Sequence, residues 1–335
     1  MKKSLLKANI TATGKYLPKK VVTNFDMEKL VDTDDAWIQA RTGIKERRIV
    51  EKGETTVDMS TQAALNLINK NDISPEEIDV IIVATVTPDM ILPCSAALIQ
   101  KNIKAINAWG YDLSAACSGF LFGLETGAAL IESGRYKKVM VIGADTMSSI
   151  LNYNDRNTCI LFGDGAGAVL LEPSEEYGII DSKLRLDGNG GKYLKVAGGG
   201  SLNPATYNTI DENLHYVQQD GKTVFKYAVR GMSDVSFDIA ERNSLKGEDI
   251  NLFIPHQANK RIIDATAKRL GLKESQVLIN IDKYANTTSA TIPICLAEAS
   301  ENNMINKGEN LIISTFGAGF SWGAMYLKWG SNNNE

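Results

Sequence analysis

Histidine is scarce in this chain: 335 residues hold only 2, His215 and His256. Neither lies near a cysteine, which argues against a zinc site and leaves little imidazole for any metal centre. The four cysteines, Cys94, Cys117, Cys159 and Cys295, stand far apart with no CxxC pair. In a chain of this size that spacing indicates reduced thiols and no disulfide framework. No apolar run approaches the eighteen or so residues a membrane helix needs. The basic opening Met1–Ile10 has no apolar core long enough for a secretory signal. The expected setting is therefore the cytoplasm, with no membrane partner. Positive charge is not in excess either: the net charge is -4 and the sequence pI about 5.5. A nucleic-acid partner thus has no bulk electrostatic support, and any anionic partner must meet a local basic patch.

What remains is the balance of an ordinary globular protein, with 44% hydrophobic and 23% charged residues. The length suits two domains or a duplicated unit. Strand-length apolar runs alternate with amphipathic stretches, which is an α/β pattern with mostly buried strands. Ser74-Pro75-Glu76-Glu77 has the form of a helix start, with proline in the first turn and an acidic residue three positions after the serine. It leads into a strand over 78–85. Helices are expected around 95–101 and 116–133, strands near 108–113 and over 139–143, and a glycine-rich hairpin over 159–171. The second half echoes this plan. Gly247-Glu-Asp-Ile-Asn-Leu-Phe-Ile-Pro resembles the entry to the first strand, and the glycine-rich end near 311–327 resembles 159–171. The chain therefore divides into halves 1–173 and 174–335. Residues 187–213, rich in Gly, Asn and Ser, read as a long irregular loop, and 332–335 as a frayed tail.

Three residues carry candidate chemistry. Cys117 follows a strand and opens an apolar, buried helix, where unpaired N–H groups and the positive end of the dipole favour a thiolate. Small neighbours at 115, 116, 118 and 119 leave room for a substrate. An inert core cysteine fits the same context. His256 stands just beyond a strand's carboxyl end, where α/β proteins gather ligands, although a structural histidine fits there too. His215 has no partner in view and is given no role. Asn286, in an uncharged run of small hydroxyl residues, offers an amide donor or serves as a helix cap.

The segments DLSAACSGF around Cys117, IPHQANKR around His256 and YANTTSATIP around Asn286 resemble the β-ketoacyl-acyl-carrier-protein synthase III family, in its order and spacing. The match extends from Thr13-Gly-Lys-Tyr-Leu-Pro through Trp37-Ile-Gln-Ala-Arg-Thr-Gly-Ile-Lys-Glu-Arg-Arg to Phe316-Gly-Ala-Gly-Phe-Ser-Trp-Gly. The resemblance implies a thiolase-like fold, a duplicated five-layered αβαβα unit. It implies a homodimeric initiating condensing enzyme of fatty acid biosynthesis with no cofactor. Cys117 would take the acyl group of acetyl-CoA or a short branched relative. His256 and Asn286 would then stabilise the enolate formed when malonyl-acyl-carrier protein loses carbon dioxide.

By position, the backbone N–H groups of Cys117 and Ala318 would form an oxyanion hole. Trp37 and Arg156 would sandwich the CoA adenine, and Thr33, Arg41, Gly221, Phe225 and Asn259 would line the pantetheine tunnel. Lys222 is left out of that set. Lys226, Gln257, Ala258, Asn259, Lys260 and Arg261 would meet the acidic carrier protein, and Lys268 and Arg269 lie on the same helix. Leu92 would shape the partner subunit's acyl pocket. The family has glycine where Ala285 and Ala318 stand; an alanine keeps the geometry provided φ stays negative.

A biosynthetic thiolase would need a second catalytic cysteine, but Cys295 has an apolar helical setting. A related acyltransferase or secondary-metabolite condensing enzyme would use the same Cys117. A catalytically dead carrier-binding subunit would be expected to lose it. The Gly163-Asp-Gly-Ala-Gly run is a weak nucleotide-binding signal, because it runs into a strand.

Overall fold

The computed structural model describes residues 6–331; the expected tail over 332–335 and the basic opening up to residue 5 lie outside them. Thirteen strands form along the described chain. They are β1 (Lys7–Tyr16), β2 (Lys20–Thr23), β3 (Glu46–Ile49), β4 (Val80–Ala84), β5 (Trp109–Leu113), β6 (Val139–Asp145), β7 (Gly165–Ser174), β8 (Gly178–Leu186), β9 (Leu194–Val196), β10 (Val217–Gln219), β11 (Leu252–Pro255), β12 (Asn310–Gly317) and β13 (Ser321–Lys328). One sheet has the order β1-β7-β6-β4-β5 and the other β11-β12-β13-β8. β7 is antiparallel to β1 and β6, while β6 is parallel to β4. The second sheet repeats this: β13 is antiparallel to β8 and β12, and β12 is parallel to β11. We propose that the division between the halves falls at the β7–β8 turn.

The apolar runs are continuous because both strand faces are covered. In β4, Ile81 and Val83 face one core together with Leu67 of the helix Thr56–Lys70 and Ile99 of the helix Ser95–Asn102. Val80 and Ile82 face a second core, as the period of two requires. That second core joins β4 and β6 to β11, β12 and β13 through two central helices, Gly119–Glu132 and Thr291–Glu301. A third core packs the helices Gly221–Arg242 and Lys260–Leu270 on the outer face of the second sheet. Helix, sheet, helix, sheet and helix layers follow in turn.

Some expected elements differ. Ser74 makes no side-chain cap, and Pro75–Glu77 is a single 3-10 turn, matched in the second half by Gly247–Asp249. The segment 159–171 is not a hairpin: it is a turn followed by the one strand β7, whose partners β1 and β6 come from elsewhere. The expected irregular loop contains the hairpin strand β9 and a short helix, Tyr207–Asp211.

Glycine sets the seating of the central helix layer. A Cβ on Gly143 would lie 2.4 Å from the backbone oxygen of Ser289, and one on Gly167 would lie 2.8 Å from the N of Ile294. Gly143→Ala should therefore push the start of the helix Thr291–Glu301 off β6 and cost about 1–3 kcal/mol of stability, measured by urea denaturation.

Candidate active site

Both central helices begin at the same place. After β5, Ala116 takes φ of +47°, a 3-10 turn spans Ala116–Ser118, and the first central helix starts at Gly119. Cys117 is the middle residue of that turn and is buried. Its carbonyl accepts a 2.8 Å hydrogen bond from the Thr315 hydroxyl. A Cβ on Gly317 would meet the Cys117 nitrogen at 2.9 Å, so only glycine lets β12 come this close. Asn286 reaches the same region from the second half. Its N–H donates to the Leu161 carbonyl at 3.0 Å, and its own carbonyl accepts from the Gly163 N–H at 3.1 Å. Its Oδ1 accepts from the Thr288 N–H at 2.8 Å, leaving Nδ2 as the donor it can offer. His256 follows β11, its backbone N–H donating to the Ser314 carbonyl at 2.8 Å. Its Nδ1 lies 2.7 Å from the Thr291 hydroxyl, while its buried Nε2 has no partner.

All three residues line one cavity of about 710 Å³. Trp37, Arg41, Gly221, Phe225, Asn259 and Arg261 share its walls, so these expected ligand residues do converge. Lys222 lines it as well, against the expectation that left it out. Arg156 and Thr33 are not among the residues that line it. The Arg156 guanidinium already lies over the Trp37 ring at 4.7 Å, and the Thr33 hydroxyl is buried without a partner. An adenine between Trp37 and Arg156 therefore requires the guanidinium to lift away. The Arg261 guanidinium sits over Phe225 at 4.8 Å, and Lys260 pairs with Asp264 at 2.8 Å. Ala318, half-buried, follows Gly317 and donates no side-chain chemistry; its carbonyl accepts from Ser321 at 2.9 Å.

Three further expectations are corrected. Gln257 is wholly buried and cannot touch a carrier protein from the surface. Its amide instead donates to the carbonyls of Pro255 and Leu278 and accepts from the N–H groups of Asn280 and Ile281, tying the His256 loop to the chain that precedes Asn286. Ala285 has φ of +57° and ψ of −152°, so the condition of a negative φ is not met there. Ala318 is not among the left-handed residues, and at that position the condition holds. The third concerns charge. Burial pushes the Cys117 thiol up to about 12, with the Asp145 carboxylate adding to it. Burial also pushes the His256 imidazole down to about 3. The resting site is a neutral thiol facing a neutral imidazole, and desolvation outweighs the helix terminus.

Sequence reasoning also passed over Thr291 and Asp145. Asp145 gave no signal because the sequence does not show which strand ends meet. Thr291 was visible only as one hydroxyl in a run of several. Among the described residues no cluster of three or more metal-binding side chains exists, and no helix is long and apolar enough to cross a membrane.

Family models for 3-oxoacyl-[acyl-carrier-protein] synthase III match residues 111–188 and, for its C-terminal part, 240–329. The beta-ketoacyl-[acyl-carrier-protein] synthase III of Chlorobaculum tepidum is 56% identical over 328 residues, covering 97% of this chain and 100% of that protein. The chain belongs to the β-ketoacyl-acyl-carrier-protein synthase III family. The synthase III of Koribacter versatilis is 52% identical over 97% of this chain and 99% of its own length. Among solved structures, the synthase III of Aquifex aeolicus superposes with a TM-score of 0.89 at 42% identity, covering 96% of this chain and 100% of that one. The priming β-ketosynthase of the R1128 polyketide pathway gives 0.89 at 32% identity, covering 96% of each chain. The fold is thus the thiolase-like one of this synthase III family, and the chain is an acyl-transferring condensing enzyme.

Two measurements check the site's physics. His256 binds its proton far less readily when folded than when unfolded, so stability is complete above about pH 6.5 and falls as pH drops towards about 3. The slope should reach up to about 1.4 kcal/mol per pH unit, and chemical denaturation of His256→Gln should lack it. Ala285→Gly should relieve the left-handed backbone and raise unfolding free energy by about 1 kcal/mol, read by the same denaturation.

Proposed function

We propose that the cavity is where a short acyl-CoA, such as acetyl-CoA or a branched primer, loads Cys117 and where malonyl-acyl-carrier protein is condensed with the loaded group. The carrying observation is that Cys117, His256 and Asn286, from three distant segments, line one cavity with Trp37, Arg41 and Arg261.

In the first half-reaction the Cys117 sulfur attacks the acyl carbonyl and the tetrahedral oxyanion collapses to expel CoA. The proton that leaves Cys117 departs on the CoA thiol, so no net charge is left in a site that disfavours it. The backbone N–H groups of Cys117 and Ala318 are the proposed donors to that oxyanion, supported by the closeness of Gly317 to Cys117. Once Arg156 lifts from Trp37, the adenine takes its place on the ring. Arg41 and Lys222 supply cations for the phosphates, with Thr33, Gly221, Phe225 and Asn259 along the pantetheine.

In the second half-reaction the malonyl carboxylate departs as carbon dioxide and its bonding electrons form an enolate. That step removes no proton, so it needs donors and no strong base. The Asn286 Nδ2 and His256 Nε2 fit this role. For Nε2 to carry hydrogen, Nδ1 must accept from the Thr291 hydroxyl, and the 2.7 Å contact suits it. The enolate then attacks the acyl-Cys117 carbonyl and expels the thiolate, which takes up a proton. The 3-oxoacyl group remains on the carrier.

The carrier protein would dock through Lys226, Ala258, Asn259, Lys260 and Arg261, of which Lys226 and Arg261 are exposed. Homodimer formation is supported by the edge strand β5 and by the neighbouring Ile91 and Leu92, 85% and 82% exposed in the single chain. Leu92 would then reach the other subunit's acyl pocket.

Radiolabelled acetyl-CoA should label the wild type and leave Cys117→Ala unlabelled, and added malonyl-carrier protein should release the label as 3-oxoacyl product. Asn286→Ala should still load while condensing about a hundred- to thousandfold more slowly. A labelled enzyme that gives its acyl group to an amine or hydroxyl acceptor would replace condensation with plain acyl transfer.

A further inference from the structure

Asp145 is the last residue of β6 and is fully buried. Its Oδ1 accepts from the Val86 N–H at 2.7 Å and from the hydroxyls of Thr85 and Thr87 at 3.1 and 3.2 Å. Its Oδ2 accepts from the Ser289 N–H at 3.0 Å and the Ser289 hydroxyl at 2.6 Å. The Ser289 hydroxyl also reaches the Ala84 carbonyl at 2.8 Å. One side chain therefore ties the chain that leaves β4 and the end of β6 to a turn of the other half. That turn lies between Asn286 and Thr291, the residue in contact with His256. Each oxygen meets a backbone N–H, an arrangement that favours the carboxylate. A buried carboxylate is hard to keep for packing alone, since burial raises the cost of its charge.

We propose that Asp145 is a positioning residue for condensation: through Ser289 its carboxylate fixes the 286–291 segment, and so sets both Asn286 and the Thr291–His256 contact relative to Cys117. The inference rests on the reading of Cys117, His256 and Asn286 given above. It concerns the decarboxylation arm, because the CoA-facing residues Trp37, Arg41 and Phe225 lie on other elements.

The same carboxylate acts on the thiol. It adds to the burial that keeps Cys117 protonated. Of the other titratable groups lining the cavity, His256 is neutral, and Arg41, Asp220, Lys222 and Arg261 are exposed to solvent. Asp145 itself is pushed up by burial and pulled back by Ser289, Val86 and Thr85. Removing its charge must move Cys117 towards easier ionisation, whereas a purely structural prop would leave the thiol's titration where it was.

The test compares full-length wild type, Asp145→Asn and Ser289→Ala. Asp145→Asn should condense about a hundredfold more slowly with KM for acetyl-CoA unchanged. Its iodoacetamide alkylation curve should shift to lower pH. Ser289→Ala keeps the carboxylate, so it should slow condensation about tenfold while its alkylation curve stays at the wild-type position. A folded Asp145→Asn with wild-type turnover, or with an unmoved alkylation curve, overturns the inference. Should Asp145→Asn fail to fold, Ser289→Ala with wild-type turnover overturns it equally. A wild type that acetyl-CoA does not label at Cys117 overturns the nucleophile assignment itself, and this inference with it.

Discussion

The two sheets share a single buried helix layer, and the site exists because of that constraint. Helices Gly119–Glu132 and Thr291–Glu301 each have one sheet above and one below, so their sequences must be apolar nearly all round. The first starts just beyond the carboxyl end of β5, and the second starts beside the carboxyl end of β6, which is the amino end of the antiparallel β7. Residues that open the two helices therefore meet, though Cys117 and Asn286 lie far apart in sequence. β11 brings His256 to the same point, because its parallel pairing with β12 sets its end beside Ser314.

Burial then decides the electrostatics. A helix terminus stabilises an adjacent charge by about 0.3–1 kcal/mol, up to ~2 in favourable cases. Raising the Cys117 thiol from 9.0 to about 12 corresponds to roughly 4 kcal/mol against the thiolate. The larger effect wins, and the empty site is uncharged at its centre. This suits a reaction whose first step returns its proton to a leaving thiol and whose second needs donors without added charge. Cations stand further out, at the exposed Arg41, Lys222 and Arg261 of the same cavity.

Much of this was legible in the residue string. The apolar runs of β4 and β6 identified buried strands, and the echo at Gly247 matched a real repeat of 3-10 turn and strand. The three motifs named residues that do converge. The failures share a cause: they depend on contacts between distant segments. Gln257 reads as one more polar residue of a helix approach, and only the fold shows its amide filled by four backbone groups. Pro75 promised a helix that had no room to continue before β4. The glycines at 163–167 suggested a turn, yet they serve close approach, as the Gly167 contact with Ile294 shows. The sign of φ at Ala285 was likewise set by its surroundings.

The backbone at Ala116 and Ala285 ties these strands of argument together. They directly precede Cys117 and Asn286, with φ of +47° and +57°. A 3-10 turn begins at Ala116 itself in the first half and at Thr288, beyond Asn286, in the second, and each leads into a central helix. A residue in ordinary helical conformation there would wind the catalytic side chain into the helix and away from the cavity. The left-handed step turns it outward instead, at a cost of about 1–3 kcal/mol for each non-glycine residue. Cys117 thus lies inside its turn and Asn286 ahead of its own, each at the entry to a central helix. Thr288, with φ of +54°, is a third such residue beside the cavity, and the surrounding core, fixed by both sheets, holds all three.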